Sequence, residues 1–515
     1  MRSSENSVKN SIGRMIFVGI SLILQIGWIV LQILKLKEYS VYISLATSVL
    51  TLILVLWLYN KRMPMGFKLL WIMTILAFPV LGISLYLMAG GSGLNKRIRS
   101  RLGWIDEELF SKLSQEQEVF EDVRKKNPLV ANQMGYIRRY AGFPVYENTK
   151  IQFFADASEG FEAQLKDIAL AERFIFMEYH AVEDAKSFGR LKALLERKVR
   201  EGVEVRLLYD DMGSIGFLDW KFKKRMEALG IQCRVFNPLL PILSIFMNHR
   251  DHRKITVIDG KVGFTGGYNL ADEYFNINSP YGHWKDTGIR LEGEAVANLT
   301  VQFLELWNMM SYRTLEDVAK YLEDLPTVKQ KEAVGYVQPY ADNPLDEEPV
   351  GENVYMNLLK TAKNYVYFTT PYLVISDEME RELCTAAKRG VDVRIITPGI
   401  PDKKAVFEVT RSYYGSLVQA GVRIFEYTPG FVHCKECICD DELAVIGTIN
   451  LDYRSLYLHF ENGVLLYECP AVTEMKSDFE NTMKSCREVT EDYKQKQPVK
   501  NRIKRGFLRV LAPLL

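Results

Sequence analysis

Two short stretches of this 515-residue chain carry the same reactive side chains at the same intervals. His252-Arg-Lys254-Ile-Thr-Val-Ile-Asp259 precedes Gly266-Gly-Tyr-Asn269, and His433-Cys-Lys435-Glu-Cys-Ile-Cys-Asp440 precedes Gly447-Thr-Ile-Asn450. The His-to-Lys, His-to-Asp and His-to-Asn separations are 2, 7 and 17 in both copies. An imidazole can attack an electrophile or carry a proton, and an ammonium beside it can hold anionic oxygen. Residues i and i+2 of a strand share a face, so each His projects with its Lys while the Asp points the other way. The chain has only six histidines. Two His–Lys pairs at identical spacing therefore mark a site and not core filling.

The surrounding elements repeat as well. Strand-like runs Phe174-Ile-Phe-Met-Glu-Tyr179 and Val205-Arg-Leu-Leu-Tyr209 flank a charge-rich helical segment near Ser187 to Arg200, and Tyr365-Val-Tyr-Phe368, Glu378 to Lys388 and Val393-Arg-Ile-Ile396 reproduce that order. Arg200-Glu-Gly-Val-Glu-Val-Arg-Leu-Leu208 aligns with Lys388-Arg-Gly-Val-Asp-Val-Arg-Ile-Ile396, which sets Gly202 and Gly390 as helix-ending residues. One repeat at so long a period is a duplicated domain and not a solenoid.

Composition bounds the rest. With 48% hydrophobic and 25% charged residues the chain is neither disordered nor fibrous, and its length calls for more than one core. A net charge of +1 argues against a nucleic-acid binder that works by bulk charge. Apolar residues are segregated to the N-terminus: Met15–Leu34, Tyr39–Asn60 and Leu69–Asn95 carry no charge. Twenty such residues reach about 30 Å as a helix, the thickness of a bilayer core. No small-residue cleavage site follows the first run, so it reads as a span and not as a signal peptide. If all three runs cross, the flanking basic residues tie at six a side. If the third is a re-entrant hairpin broken at Pro79, ten lie on one side against two, which puts the remainder in the cytoplasm.

The doubled H-x-K-x4-D pattern resembles the signature of the phospholipase D superfamily. Within it the chain is similar to the bacterial cardiolipin synthases, on Gly266-Gly-Tyr-Asn-Leu-Ala-Asp-Glu-Tyr274, Trp284-Lys-Asp286, Thr370-Pro-Tyr372 and Gly447-Thr-Ile-Asn-Leu-Asp-Tyr-Arg-Ser455. The likeness runs from about Leu58 to Leu515. It implies an α/β fold with N-terminal transmembrane helices followed by two phospholipase D-like repeats packed as a pseudo-two-fold catalytic unit. It also implies phosphatidyl transfer between two phosphatidylglycerol molecules, giving cardiolipin and glycerol, in the bacterial cell membrane. A membrane-bound phospholipase D that passes the phosphatidyl group to water is the alternative.

The resemblance assigns His252 as nucleophile, forming a phosphohistidine, and His433 as general acid and then base; the sequence itself is symmetric. One imidazole must be neutral and the other protonated, so neighbours should split two values that begin near about 6.5. Lys254, Lys435, Asn269 and Asn450 are expected on the phosphoryl oxygens, and Asp286 and Glu461 as acceptors that anchor the imidazoles. Asp259 and Asp440 belong to the catalytic signature, yet they point away from the His–Lys face and read as structural. His459 stands where the family usually has Asn.

No metal and no cofactor is expected. Cys434, Cys437 and Cys439 surround His433, but the first copy has no cysteine there and strand alternation would splay the three. His180, His249 and His283 are candidates to border the pocket, although a lone His near a strand end more often reads as a satisfied polar residue. The partners expected are phosphatidylglycerol and anionic membrane lipid, with no nucleic acid. From Gly230 to His252 the first copy spends 22 residues where the second spends 12, and the excess, Pro238 to Met247, is apolar enough to read as a lipid-guiding loop. Basic residues from Lys500 to Arg509 set among Ile503, Phe507, Leu508 and Leu511 read as an interfacial helix. The chain thus divides into a membrane region (1–95), a juxtamembrane linker (96–145), two repeats (146–325 and 326–490) and a basic tail (491–515).

Overall fold

The computed structural model describes residues 40–87, 93–239, 248–311, 318–322, 333–494 and 499–514, with a few single positions before residue 40 and Leu315. Among the described residues nine strands lie in the first half: β1 Thr149–Phe154, β2 Phe174–Tyr179, β3 Glu204–Asp210, β4 Gln232–Phe236, β5 Arg250–Asp251, β6 Lys254–Ile258, β7 Val262–Gly266, β8 His283–Lys285 and β9 Gly288–Gly293. The second half adds β10 Tyr336–Asp342, β11 Tyr365–Thr369, β12 Leu373–Val374, β13 Asp392–Pro398, β14 Arg423–Tyr427, β15 Gly430–Val432, β16 Glu436–Cys439, β17 Leu443–Gly447, β18 Leu451–Asp452, β19 His459–Tyr467 and β20 Cys486–Glu488.

The first sheet runs β1-β9-β7-β6-β2-β3-β4 and the second β10-β19-β17-β16-β11-β13-β14-β20, so the two share one topology and the second gains an edge strand. In each, three parallel strands joined by helical crossovers meet an antiparallel half (β2-β3-β4 and β11-β13-β14). The central strands are covered on both faces, which is why Phe174–Tyr179 and Tyr365–Thr369 are buried along their whole length. The crossover helices Lys186–Arg200 and Asp377–Lys388 bury one stripe each, Phe188, Leu191 and Leu195 in the first and Met379, Leu383 and Ala386 in the second. Gly202 and Gly390 follow them with φ of 91° and 95°, as the aligned sequences require.

The helix Val296–Met309 is buried at every position and packs against β2, β6, β7, β9 and β10, filling the seam between the repeats. The segment 96–145, read as a juxtamembrane linker, carries most of the helices Gly93–Phe110, Gln117–Lys126 and Pro128–Ala141. Their low mean hydropathy hides apolar stripes (Leu102, Ile105 and Leu109; Val119 and Val123; Val130, Met134 and Ile137) that join the main core.

At the N-terminus the helix Ser40–Asn60 precedes Met65–Ala77 and Pro79–Leu85. The last two fold back on each other at Phe78: a Cβ on Gly82 would lie 2.7 Å from the Ile75 backbone, so only glycine allows that approach. Leu45, Val49, Leu52 and Leu56 are exposed, while Leu58, Ile75, Ile83 and Tyr86 form a small core of their own. Among the described residues no helix is long and apolar enough to cross a membrane. The run Met15–Leu34, apart from single positions, and the apolar insertion at 240–247 lie outside the described residues. The C-terminal helix Val499–Leu511 and the turn Ala512–Leu514 pack against Lys404–Ala420 and the foot of Met65–Ala77. There Phe67 meets Tyr453 edge-on with ring centroids 5.6 Å apart.

Candidate active site

Each signature histidine follows a short strand that crosses to the other repeat. β5 pairs in parallel with β19, and β15 pairs in parallel with β8. Arg250, on β5, is fixed by a buried ion pair of 2.8 Å to Asp210 at the end of β3. The crossing carries His252 onto β19, where its N–H donates to the Phe460 carbonyl at 2.9 Å, and His433 onto β8, where its N–H donates to the Lys285 carbonyl at 2.7 Å. The residue that follows each of these carbonyls is acidic, Glu461 within β19 and Asp286 directly after β8. His252 Nδ1 lies 2.9 Å from the Glu461 carboxylate, and His433 Nδ1 lies 2.7 Å from Asp286 Oδ2. Each imidazole is thus anchored by a carboxylate of the opposite repeat. A ring that donates from Nδ1 keeps its lone pair on Nε2, the atom left for chemistry.

The copies differ in one respect. Lys254 Nζ donates to the His252 carbonyl at 2.6 Å, whereas Lys435 Nζ reaches both the His433 carbonyl and His433 Nδ1, the latter at 2.8 Å. His433 Nδ1 is therefore shared between a carboxylate and a cation, while His252 Nδ1 faces Glu461 without such competition.

Both histidines border one cavity of about 570 Å³, also lined by Asn269, Asn450, Tyr274, Trp284, Lys403 and Arg454. Burial, with Lys254 and Lys435 nearby, holds His252 well below the usual imidazole range. Burial and Lys435 pull His433 down to about 3 against the opposing pull of Asp286. The expected split into one neutral and one protonated ring is thus not built in; burial first, and the neighbouring Lys254 and Lys435 second, push both imidazoles toward the neutral form. Burial also lowers Lys254 to about 7 and Lys435 to about 8. Against the upward push of burial, His433 and Lys435 keep Asp286 below the ordinary carboxylate range.

Asn450 lines the cavity, and among the described residues its Oδ1 has no hydrogen-bond partner. Asn269 is more occupied: its Oδ1 accepts from the Ala181 N–H at 3.0 Å and its Nδ2 donates to the Tyr274 hydroxyl at 2.8 Å. Asp259 and Asp440, counted with the catalytic signature, do not line the cavity and have a structural place. Each sits in the left-handed region, at φ 55° and 53°. Asp259 accepts from the N–H groups of Glu172, Arg173 and Phe174 at 2.8 to 2.9 Å, and Asp440 from those of Lys363, Asn364 and Tyr365 at 2.6 to 2.8 Å. They clamp the start of β2 and of β11.

Of the three histidines named from the sequence as candidates to border the pocket, His180 is in the cavity wall. It lies at the end of β2, its ring 4.9 Å from that of His252 and its Nδ1 2.7 Å from the Asp251 carbonyl oxygen. The signal was its position after a fully buried strand, where the second copy has Thr370-Pro-Tyr372. His459 is buried 5.5 Å from His252, with Nδ1 3.5 Å from Glu461 Oε1. His252, His459 and Glu461 bring ligand-type atoms within 4.8 Å of one another, a spacing a metal could use. Arg454 Nε, 3.3 Å from His459 Nε2, is a donor that leaves the His459 proton on Nδ1, and the ammonium groups around the cavity suit an anion better than a dication.

The family model described as "Cardiolipin synthase, PLD-like domain" matches residues 165–307 and 355–483, more than half of the chain and both signatures. The chain belongs to the cardiolipin synthase family. It is a phosphatidyltransferase family of the phospholipase D superfamily, and a second model, "Phospholipase_D-nuclease N-terminal", matches residues 49–91 across the hydrophobic helices. Among cardiolipin synthases, that of Alkalihalophilus pseudofirmus is 34% identical over 86% of this chain and 88% of its own length. The cardiolipin synthase of Halalkalibacterium halodurans is 33% identical over 95% of both chains. The crystal structure of phosphatidylserine synthase from Haemophilus influenzae superposes with a TM-score of 0.54 at 14% identity, covering 71% of this chain and 94% of that one. It shares the mixed α/β fold of the two repeats.

Proposed function

We propose that the cavity moves a phosphatidyl group from one phosphatidylglycerol to the terminal hydroxyl of another, giving cardiolipin and glycerol. The carrying observation is the pair of imidazoles held through Nδ1 by crossed carboxylates at one cavity. His252 Nε2 attacks phosphorus, the bond from phosphorus to the head-group glycerol oxygen breaks, and His433 supplies the proton that glycerol takes away. The hydroxyl of the second lipid then gives its proton to His433 and displaces His252, breaking the phosphorus–nitrogen bond. His252 is the better nucleophile because its Nδ1 has no competing cation, so the tautomer with a free Nε2 is favoured. Lys254, Lys435 and Asn450 face the phosphoryl oxygens, and the incoming negative charge raises the low pKa of His433 so that it can act as an acid.

Purified protein in mixed micelles of phosphatidylglycerol, with products identified by mass spectrometry, tests the reading. Cardiolipin and glycerol that disappear in His252→Ala support it; phosphatidic acid without cardiolipin would make water the acceptor. Trapping the phosphorylated residue places the intermediate, and a label on His433 reverses the two roles.

We also propose that the helices 40–60, 65–77 and 79–85, with the run Met15–Leu34, lie in the bacterial cell membrane, with the catalytic unit on the cytoplasmic side. Support comes from the exposed apolar faces and the sharp turn at Phe78, which suits the re-entrant arrangement with ten basic residues on one side. Labelling Ser114→Cys with an impermeant thiol reagent on intact cells checks it; a reacting site overturns the orientation.

A further inference from the structure

The catalytic cavity changes character from one signature histidine to the other. The rings of His180 and His459 lie 4.9 and 5.5 Å from that of His252, and Arg454 reaches His459 at 3.3 Å. Around His433 the wall is aromatic instead. Tyr274 and Trp284 each have ring centroids 5.2 Å from its ring, and Phe431 is 6.0 Å away. Tyr281 and Tyr372 extend this wall, each 6.3 Å from the Phe431 ring. Two carboxylates that the mechanism above does not use line the cavity with them. Glu273 lies in the turn Asp272–Phe275, next to Tyr274, and Asp402 Oδ2 accepts from the Tyr372 hydroxyl at 2.5 Å. Burial, with the charges of Glu273 and Asp402, raises both Tyr274 and Tyr281 above the ordinary phenol range, which places the two acids beside the same rings.

The polar atoms of this arm are under-used. Among the described residues the Glu273 carboxylate has neither a hydrogen bond nor an ion pair, the only hydrogen bond to Asp402 comes from Tyr372, and the Trp284 Nε1–H is buried without an acceptor. Open donors and acceptors beside aromatic rings cost free energy until a ligand pairs with them. Burial, with Glu183 and Asp402 adding to it, raises Glu273 to about 7, so near neutral pH it can give as well as accept a hydrogen bond. A hydroxyl asks for both. An ammonium asks for acceptors alone, and the cation over Tyr372 is already Lys403, 5.4 Å from the ring centroid. A phosphodiester would meet two acids.

We infer that this aromatic, acidic arm is the alcohol pocket of the enzyme, taking the glycerol end of the lipid through Glu273 and Asp402, and that it serves both half-reactions. The inference rests on the function proposed above and adds the residues that choose the alcohol. His433 gives its proton to the glycerol oxygen as the bond from that oxygen to phosphorus breaks, so the departing glycerol lies on the His433 side, opposite His252. The hydroxyl of the second lipid returns a proton to the same imidazole while its oxygen bonds to phosphorus and the phosphorus–nitrogen bond breaks. It therefore enters the place that glycerol left. Glycerol leaving and glycerol arriving meet one set of side chains, so a single polyol site suffices for both substrates.

Competition among free alcohols tests the pocket. Full-length protein and its Glu273→Leu, Asp402→Leu and doubly substituted forms are given phosphatidylglycerol in mixed micelles with equal concentrations of deuterated glycerol, ethanol and ethanolamine. Labelled phosphatidylglycerol, phosphatidylethanol, phosphatidylethanolamine and phosphatidic acid are measured together. All four arise from one phosphohistidine, so their ratios do not depend on how much of a variant has folded, and the single variants carry the comparison if the double one does not turn over. The unsubstituted protein should favour glycerol. The double variant should shift the glycerol-to-ethanol ratio by about tenfold or more toward ethanol, the effect of losing charge-assisted hydrogen bonds to a hydroxyl. Glu273→Gln, which keeps a donor and an acceptor, should hold most of the preference. No preference for glycerol in the unsubstituted protein, or an unchanged ratio in the Leu variants, overturns the pocket alone. A preference for ethanolamine that Glu273→Leu abolishes overturns the polyol in favour of an ammonium. Phosphatidic acid as the sole product of the unsubstituted protein overturns the proposed transfer, and the pocket with it.

Discussion

Glu461 and Asp286 act on histidines 209 and 147 positions away in sequence. Their role was legible through the family resemblance, which implies an acidic residue after each signature, but the crossing was not, since nothing in one strand states which repeat it faces. Replacing Glu461 with Gln keeps the shape and removes the preference for the Nδ1–H tautomer of His252. Phosphohistidine formation should drop by roughly 10³- to 10⁴-fold, the scale for a disrupted tautomer in a carboxylate–imidazole pair, with little change in binding. Rapid-quench labelling reads the first step directly, and a loss under tenfold would remove Glu461 from that role. The two lysines supply a second residue-scale expectation. They hold phosphate only as ammonium, and with pKa values near about 7 and about 8 they lose protons as pH rises through that window. The ratio kcat/KM should therefore decline from pH 7 to pH 9, whereas substitution of Lys435 by Arg, which stays charged, should flatten the upper part of the fall.

Asp259 and Asp440 do their work on the β-strands. Their strict place in the signature suggested catalysis, and only the strand parity hinted otherwise; the clamp on three consecutive N–H groups explains the spacing without any role in the reaction. Asp440→Ala would strand those donors and cost about 2 to 3 kcal/mol. Denaturant unfolding should show the loss while the folded fraction keeps its turnover number; a folded, inactive variant would return the residue to the catalytic set. Gly447 tells a related story. A Cβ there would stand 2.3 Å from the Asn462 carbonyl oxygen and 2.7 Å from Gly463 Cα, and its counterpart Gly266 is crowded by Thr287 and Gly288 in the same manner. Gly447→Ala forces β17 away from β19 and moves Asn450 with it, so stability falls by about 1 to 3 kcal/mol and phosphate affinity falls too. The repeat itself was readable from Gly202 and Gly390, where a helix must stop at the same point twice. The helices of residues 93–141 were not, because a single buried stripe barely moves an average over a charged segment.

At the scale of the whole molecule, the hydrophobic helices are joined to the catalytic unit at a few contacts. Gly66 is one: a side chain there would meet the Tyr453 hydroxyl at 2.7 Å and Pro513 at 2.8 Å. Gly66→Leu should loosen the C-terminal turn from the foot of the helix Met65–Ala77 and lower turnover of bilayer lipid more than of a short-chain soluble analogue; equal losses on both would show that the contact serves stability alone. The crossed anchoring has a consequence in time. A ribosome that has completed His252 must add 209 residues before Glu461 exists, roughly 10 to 40 s at ordinary elongation rates. Throughout that interval the emerging first repeat has an imidazole without its tautomeric partner, and the nascent chain stays chemically silent until both halves have been made.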